Sequence, residues 1–324
     1  MPKERSSAKP PIQSTKLVIL LGAPSAVGAV IALFGGLHWI AELLTHFRVQ
    51  NFWALLLCAL YLAVARRFRW AAAYCVPAMV SLAAVLPLYF GQSPDAGQPA
   101  DLCVMLMNVN LQTGDSARVM EAIEHFQPDV VLFQEVDEAW LERPDRVSED
   151  YPFRLTEPRN DNFGIALLSR LPLRDSRVAY FGDSGVPSTV ARIECGTQAL
   201  SFIGTHPPPP GSAEYLRMRN VQIEGVAKAV REMQKPVIVL GDLNTTPWSP
   251  VFRQFLTQAR LANSARGWDV QATWPVDLMP LRVPLDHCLH SEKLQVARRE
   301  IGPDVGSDHF PLVVDFVFDE ATDE

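Results

Sequence analysis

The chain has 324 residues, 48% of them apolar, which leaves room for one large domain or two ordinary ones with a sizeable core. Its net charge of −7 is unevenly spread: residues 1–100 hold eight Lys and Arg against three Asp and Glu, so they carry +5 and the remainder carries −12. A part that acidic has no general electrostatic grip on a polyphosphate backbone, and the five cysteines show neither metal-ligand nor disulfide spacing.

The first hundred residues hold nearly all the long uncharged runs. Leu17 to Ile40 has no charge and is long enough to cross a bilayer core of about 30 Å as a helix. Phe52 to Ala65 is shorter, but Asn51 and Trp53 at one end and Arg66-Arg67-Phe68-Arg69-Trp70 at the other frame it as a span with snorkelling flanks. Ala71 to Phe90 carries Pro77 and Pro87, which spans tolerate better than soluble helices do. The expectation is a transmembrane region over residues 17–90 with three helices at 17–40, 52–65 and 71–90. A cleaved signal peptide is the competing reading. It fails because the run is too long, lacks a small-residue cleavage site and is followed by further spans.

Lys3, Arg5, Lys9 and Lys16 precede the first span, and Arg66, Arg67 and Arg69 separate the second from the third, whereas the intervening loop has only Arg48. Both basic segments are therefore expected in the cytoplasm, residues 1–16 included. The third span then exits outward, and residues 91–100 form a short extracytoplasmic linker. The rest of the chain would sit outside the cytoplasm of a multi-pass plasma-membrane protein, with the lipid bilayer as its first partner.

Residues 101–318 read as an α/β domain, followed by an acidic tail at 319–324. Leu102–Val109 is a buried strand ending in Asn108-Val109-Asn110. Asp115 then caps an amphipathic helix that Pro128 terminates. A second strand, Asp129–Phe133, ends in Gln134-Glu135, and an irregular stretch rich in charge and proline follows. Asn162–Arg170 is the next strand, and Thr189–Cys195 with Ala199–Thr205 form a hairpin around Gly196. His206 ends that pair and is followed by four prolines, Pro207–Pro210, which set a stiff polyproline segment. A helix from about Ala213 to Met233 leads to Val237-Ile238-Val239-Leu240, which stops at Gly241-Asp242-Leu243-Asn244. Downstream lie Thr273-Trp274-Pro275, a short strand around Leu285-Asp286-His287, then Ser307-Asp308-His309-Phe310-Pro311 and a last strand, Leu312–Phe318.

Each polar strand end has a plain structural explanation: Gly, Asp and Asn are ordinary turn residues, and a Glu after a strand is often a surface carboxylate. Taken together, Asn108, Glu135, His206, Asp242 with Asn244, and Asp308 with His309 place acids, amides and histidines at five strand ends. Carboxylate and carboxamide oxygens suit a hard divalent cation, Mg²⁺ or Mn²⁺, rather than zinc. Two histidines and a further Asp beside such an ion supply what hydrolysis of a phosphate ester needs.

At these motifs the chain resembles the endonuclease/exonuclease/phosphatase superfamily, the DNase I-like fold. The matching pieces are Asn108-Val109-Asn110, Gln134-Glu135, Gly164 with Leu168-Ser169-Arg170, Thr205-His206, Gly241-Asp242-Leu243-Asn244, Asp286 and Ser307-Asp308-His309-x-Pro311. The resemblance implies a four-layered αββα sandwich with its site at one edge. It also implies roles: Asn108, Glu135 and Asp308 hold the metal, with Asn110 nearby. Asp242 activates water or protonates the leaving group, and Asn244 orients Asp242 and the phosphate. His206 contacts a phosphoryl oxygen, and His309, held by Asp286, acts on the phosphate or the water. Nucleases of the superfamily often carry Asp where this chain has Asn110.

Three spans before such a domain, and a His-Pro-Pro run, are similar to the membrane-anchored subgroup that includes the VanJ-type teicoplanin-resistance proteins. The expected activity is that of a Mg²⁺-dependent phosphoesterase acting on a phosphate or pyrophosphate of a lipid or cell-envelope intermediate. The alternatives are a membrane-tethered nuclease and a catalytically silent binding or scaffold protein.

Overall fold

Two packed six-stranded sheets make up the larger part of the protein. The computed structural model describes residues 12–91, 99–142 and 150–319, which divide into two compact units, Met1–Leu86 and Pro87–Glu324. The expected linker over 91–100, the acidic tail and the basic residues Lys3, Arg5 and Lys9 fall wholly or mostly outside the described residues.

The first unit is helical: α1 (Ile12–Ile31), α2 (Trp39–Thr45), α3 (Arg48–Val64) and α4 (Phe68–Val85). Two stretches, Gln13–Phe34 and Phe68–Tyr89, are long and apolar enough to cross a membrane, and α2 with α3 would make a third only as a pair bent by 69°. The uncharged run from Leu17 to Ile40 is thus not one helix. It breaks after Phe34 at Gly35 and Gly36, the latter with φ 86°, a backbone region that glycine enters without steric penalty. His38 then caps α2, its Nδ1 accepting from the Ile40 amide at 3.2 Å.

Arg48, expected in a loop, instead opens α3 and is buried, donating to the Ala29 carbonyl at 3.1 Å. Glu42, Thr45 and His46 are buried in the same unit. Elsewhere Leu55, Leu62, Tyr74 and Ala78 form its apolar core, with the Tyr74 hydroxyl donating to the Ile19 carbonyl at 2.6 Å.

The second unit contains, in chain order, β1 (Leu102–Asn108), α5 (Ser116–Phe126), β2 (Val130–Gln134), α6 (Glu138–Glu142), β3 (Phe153–Glu157), β4 (Ile165–Ser169), β5 (Leu173–Tyr180), β6 (Pro187–Cys195), β7 (Gln198–Thr205), α7 (Ala213–Glu232), β8 (Val237–Asp242), α8 (Pro250–Ala259), β9 (Ala262–Asn263), β10 (Asp286–His290), β11 (Leu294–Ile301) and β12 (Leu312–Phe318). One sheet runs β11-β12-β1-β2-β4-β3 and the other β5-β6-β7-β8-β10-β9. Within them β1 and β2 are parallel, as are β7 and β8, so each sheet is mixed. The stretch read as irregular between Glu135 and Asn162 holds α6 and β3. The latter is an edge strand with alternating exposure, which apolar runs do not reveal.

Strand parity builds the layers. On β1, Val104 and Leu106 face the other sheet, joining Leu132 of β2, Phe202 of β7, Ile238 and Leu240 of β8 and Cys288 of β10 in the central core. The odd positions Met105, Met107, Val131 and Phe133 face outward under Val119, Ala122 and Ile123 of α5. On the other side Val237, Val239 and Ile203 pack under Ile223, Val226 and Val230 of α7 and Phe252 and Phe255 of α8. Helices, sheet, sheet and helices therefore stack as a four-layered αββα sandwich of the DNase I-like type.

Asp115 caps α5 as expected, accepting from the amides of Ala117 and Arg118. Gln127, in the left-handed region, ends that helix before Pro128.

Candidate active site

The same parity that fills the core aims the polar strand ends. Asn108, Gln134, Asp242 and Asp286 occupy inward-facing positions one step beyond or before the core residues Leu106, Leu132, Leu240 and Cys288, and His206 continues the parity of Phe202 on β7. Register closes the set: Asn108 lies opposite Gln134, and Asp242 opposite Asp286. The result is a line of buried polar groups where the two sheets meet at one end.

Gln134 clamps the sheets together. Its Nε2 donates to the Thr205 carbonyl at 2.9 Å while its Oε1 accepts from the Asp242 amide at 3.0 Å. Room for this comes from Gly241, where a Cβ would lie 1.9 Å from the Thr205 carbonyl oxygen and 2.9 Å from Gln134 Nε2. Sequence reasoning found the Gln134-Glu135 motif without assigning Gln134 a task.

Two subsites share this edge. In the first, Asp242 is 2% exposed and lies between two histidines: His206 Nε2 and His309 Nε2 are each 3.6 Å from its Oδ2. His309 Nδ1 pairs with Asp286 Oδ2 at 2.8 Å. Burial opposes a charge on Asp242, but the two imidazoles and the Asn244 amide, which donates to its Oδ1 at 2.8 Å, outweigh that and hold its pKa below the usual carboxylate value. Burial likewise opposes protonation of His309. Asp286, Asp242 and Asp308 overcome it and push the imidazole up to about 10. His206 is raised for the same reason, burial being outweighed by Asp242 and then Glu135. The arrangement thus favours an ionised Asp242 beside a protonated His309, with the charged form of His206 stabilised as well.

Asn244 serves Asp242 through its backbone, not its side chain: the carboxamide donates instead to the Pro207 carbonyl at 3.0 Å. Its φ of 48° is stabilised from below by Arg219 of α7, fully buried, whose Nη1 donates to the Asn244 carbonyl at 2.9 Å.

The second subsite joins Asn108, Glu135, Asn110 and Asp308. Asn108 Nδ2 donates to Glu135 Oε1 at 2.9 Å, and Asn110 Nδ2 donates to Asp308 Oδ1 at 2.8 Å. Trp274 Nε1 donates to Asp308 Oδ2 at 2.9 Å, a contact unassigned from the sequence. Ser307 Oγ bonds the Asn108 carbonyl at 2.7 Å and accepts from the His309 amide at 3.1 Å, which locks the Ser-Asp-His turn to β1. Glu135 (φ 59°) and Asn110 (φ 48°) hold left-handed backbone just past their strands. All nine residues singled out in the sequence thus converge on this edge.

The donor set fits a hard cation. Glu135 and Asp308 are hydrogen-bonded by amides and an indole rather than by Lys or Arg, and burial raises the Glu135 pKa even though His206, Asn108 and His309 pull it down. Asp242, Asp286 and His309 also approach within 4.8 Å of one another. Both His309 nitrogens already face carboxylates, Asp286 at 2.8 Å and Asp242 at 3.6 Å, whereas the oxygen donors of Asn108, Glu135 and Asp308 are of the type that suits Mg²⁺ or Mn²⁺.

This fold, with two histidines around a buried Asp beside a cluster of carboxylate and carboxamide groups, holds the parts that hydrolysis of a phosphoester bond needs. The chain belongs to the Endonuclease/Exonuclease/phosphatase family, whose model matches residues 105–309. A curated relative, the inositol phosphosphingolipids phospholipase C of Saccharomyces cerevisiae, is 30% identical over 159 residues, covering 40% of this chain and 32% of that protein. The chain thus spans about a third of that relative's length.

Among solved structures, D. rerio TDP2 complexed with a single-strand DNA product superimposes with a TM-score of 0.57 at 18% identity, covering 67% of this chain and 98% of that one. The Bacteroides vulgatus endonuclease/exonuclease/phosphatase gives 0.56 at 16% identity (67% and 98%). The human Nocturnin catalytic domain with bound sulfate gives 0.52 at 21% (67% and 94%). At such identities these likenesses concern the fold.

Proposed function

We propose that the protein is a membrane-anchored phosphoesterase, similar in architecture to the VanJ-type subgroup, whose catalytic unit lies outside the cytoplasm and cleaves a phosphate or pyrophosphate ester of a lipid or cell-envelope intermediate. The observation that carries the reaction class is Asp242, ionised and flanked at 3.6 Å by two histidines next to the Asn108, Glu135 and Asp308 oxygens. The lipid reading is supported by two stretches apolar enough to span a bilayer and by the yeast relative, whose name records a phosphosphingolipid substrate. The −12 charge of residues 101–324 argues against a nucleic-acid substrate.

The residues divide the work. Asn108, Glu135 and Asp308 would hold the divalent ion, which when bound supplies Lewis-acid polarisation of a phosphoryl oxygen. Asp242, kept ionised by its neighbours, accepts a proton from the water whose oxygen attacks phosphorus in line with the departing group. His309, kept protonated by Asp286, and His206 donate to the phosphoryl oxygens as negative charge gathers there. As the bond from phosphorus to the leaving oxygen breaks, that oxygen takes a proton from solvent or from an imidazolium. Asn244 and Arg219 keep the Asp242 turn in place.

A substrate panel tests the proposal. Full-length protein in detergent with Mg²⁺ or Mn²⁺ is given phospholipids, polyprenyl phosphates and pyrophosphates, and plasmid and single-stranded DNA. Lipid cleavage with intact DNA is expected. Nicked or degraded DNA with untouched lipid would transfer the assignment to a nuclease.

A further inference from the structure

Beyond its first few residues, the catalytic unit exposes few large hydrophobic side chains among the described residues: Tyr180, Tyr215, Leu278, Met279 and Leu281. The two tyrosines carry a polar tip. The three purely apolar ones sit within four consecutive residues, Leu278-Met279-Pro280-Leu281, at 54%, 69% and 47% exposure for Leu278, Met279 and Leu281. Scattered exposed apolar residues need no explanation, but three on one short tip do.

That tip is braced. A short 3₁₀ turn over Met279–Leu281 forms it, and the Leu281 amide donates to the Leu278 carbonyl at 2.8 Å. At its base Trp274 and Val283 pair as an antiparallel bridge. The Arg282 guanidinium folds back on the loop, donating to the Pro275 and Val276 carbonyls and lying over the Phe310 ring at 4.7 Å. The cationic head beside the tip is therefore turned inward, and Leu278, Met279 and Leu281 stay exposed next to the exposed Asp277.

The base is tied to the site at two points. The Val276 amide donates to the Asp308 carbonyl at 2.9 Å, and the Trp274 indole donates to the Asp308 carboxylate. Whatever the tip enters is thus held at a set distance from the candidate metal ligand.

We infer that the Leu278–Leu281 tip inserts into the surface of a phospholipid bilayer and sets the depth at which the site meets head groups. A bilayer is the occupant the chain itself brings: two of its own helical stretches are long and apolar enough to lie in one. Residues 101–324 carry −12, so attraction to anionic head groups cannot seat this unit, and apolar insertion is the force left. A rigid tip loses little conformational freedom on entering the membrane, which favours that force. The inference deepens the lipid-directed reading given above and rests on it only for the identity of the substrate.

Full-length protein carrying Met279→Cys, labelled with an environment-sensitive fluorophore and reconstituted into phosphatidylcholine vesicles, tests it. Lys228→Cys, exposed on α7, serves as control, and wild type treated identically supplies the background of native cysteines. The label at 279 should shift to the blue and be quenched by acyl-chain-brominated lipid, with neither effect at 228. Absence of quenching at 279 overturns the inference. So does a blue shift that brominated lipid leaves unquenched, which would point to a protein partner or a second copy of the chain.

In a second arm, Leu278→Asp with Leu281→Asp should lower turnover of a vesicle-embedded substrate roughly tenfold or more. Turnover of a water-soluble chromogenic phosphodiester should be unchanged. Quenching at 279 without cleavage of any lipid would leave the membrane contact standing and remove the substrate reading. Lipid cleavage with no quenching at 279 would do the reverse.

Discussion

Replacing Asp286 by Asn tests the charge arrangement around His309. The substitution keeps the size of the side chain and removes one negative charge whose Oδ2 lies 2.8 Å from His309 Nδ1. With charge centres about 4 Å apart and an effective dielectric constant of about 20, the lost attraction is about 4 kcal/mol, or about 3 pK units. Burial opposes protonation, and the imidazole is held at about 10 by Asp286 together with Asp242 and Asp308, so the variant should titrate near pH 7. A reaction that needs protonated His309 loses activity as pH rises through that pKa. The alkaline limb set by His309 should lie past pH 9 in wild type and near pH 7 in the variant, with a variant rate at pH 8 lower by roughly a hundredfold once lost orientation is included. The assay is the pH dependence of kcat/KM on a soluble phosphodiester at fixed divalent ion. An alkaline limb that stays where it was, or a rate within a fewfold of wild type at pH 8, would refute this role for the pair.

Other outcomes follow from the same geometry. Glu135→Gln and Asp308→Asn should abolish thermal stabilisation by Mg²⁺ or Mn²⁺, which in wild type reaches about 2.7 kcal/mol at a hundredfold excess over Kd; an unchanged rise in melting temperature would remove these residues as ligands. Gly241→Ala puts a Cβ 1.9 Å from the Thr205 carbonyl oxygen, so the Gln134 clamp must open, and denaturation should show a loss of about 1–3 kcal/mol together with most of the activity. His287, buried with its Nε2 on the Thr245 carbonyl at 2.8 Å, is pushed down by that burial to about 4. The unfolded chain therefore binds more protons between pH 6.5 and 4, so stability present above pH 6.5 is lost as pH falls through that window, on the order of 3 kcal/mol. His287→Gln should flatten this slope in melting experiments, and an identical slope in the variant would contradict the assignment.

Much of the catalytic unit is legible in its sequence because its central strands are continuous aliphatic runs that stop at polar residues. Two-residue parity carries the side-chain direction of Leu106, Leu132 and Leu240 into Asn108, Gln134 and Asp242. Edge strands were harder to see. Phe153–Glu157 and Leu294–Ile301 mix charged and apolar residues because one face of each meets water or ion pairs such as Arg298 with Asp315.

The residues that support the site share a different obstacle. Gln134 reaches Asp242 across 108 positions and Trp274 reaches Asp308 across 34, distances that local patterns do not encode. Arg219 has the composition of any helix surface, yet it is fully buried under Asn244. In the helical unit the break at Gly35 and Gly36 and the burial of Glu42 and Arg48 were hidden by an overall apolar count, which registers length but not which polar groups turn inward.

The most direct measurement is phosphorus NMR of full-length protein reconstituted with its candidate lipid in Mg²⁺, comparing wild type with Asp242→Asn. Wild type should convert the lipid phosphorus signal to that of a released phosphate or phosphorylated head group, chelation should stop the conversion, and the variant should be slower by at least roughly a hundredfold. Conversion at equal rates in both proteins would contradict the account of Asp242 as the proton acceptor of a phosphoesterase.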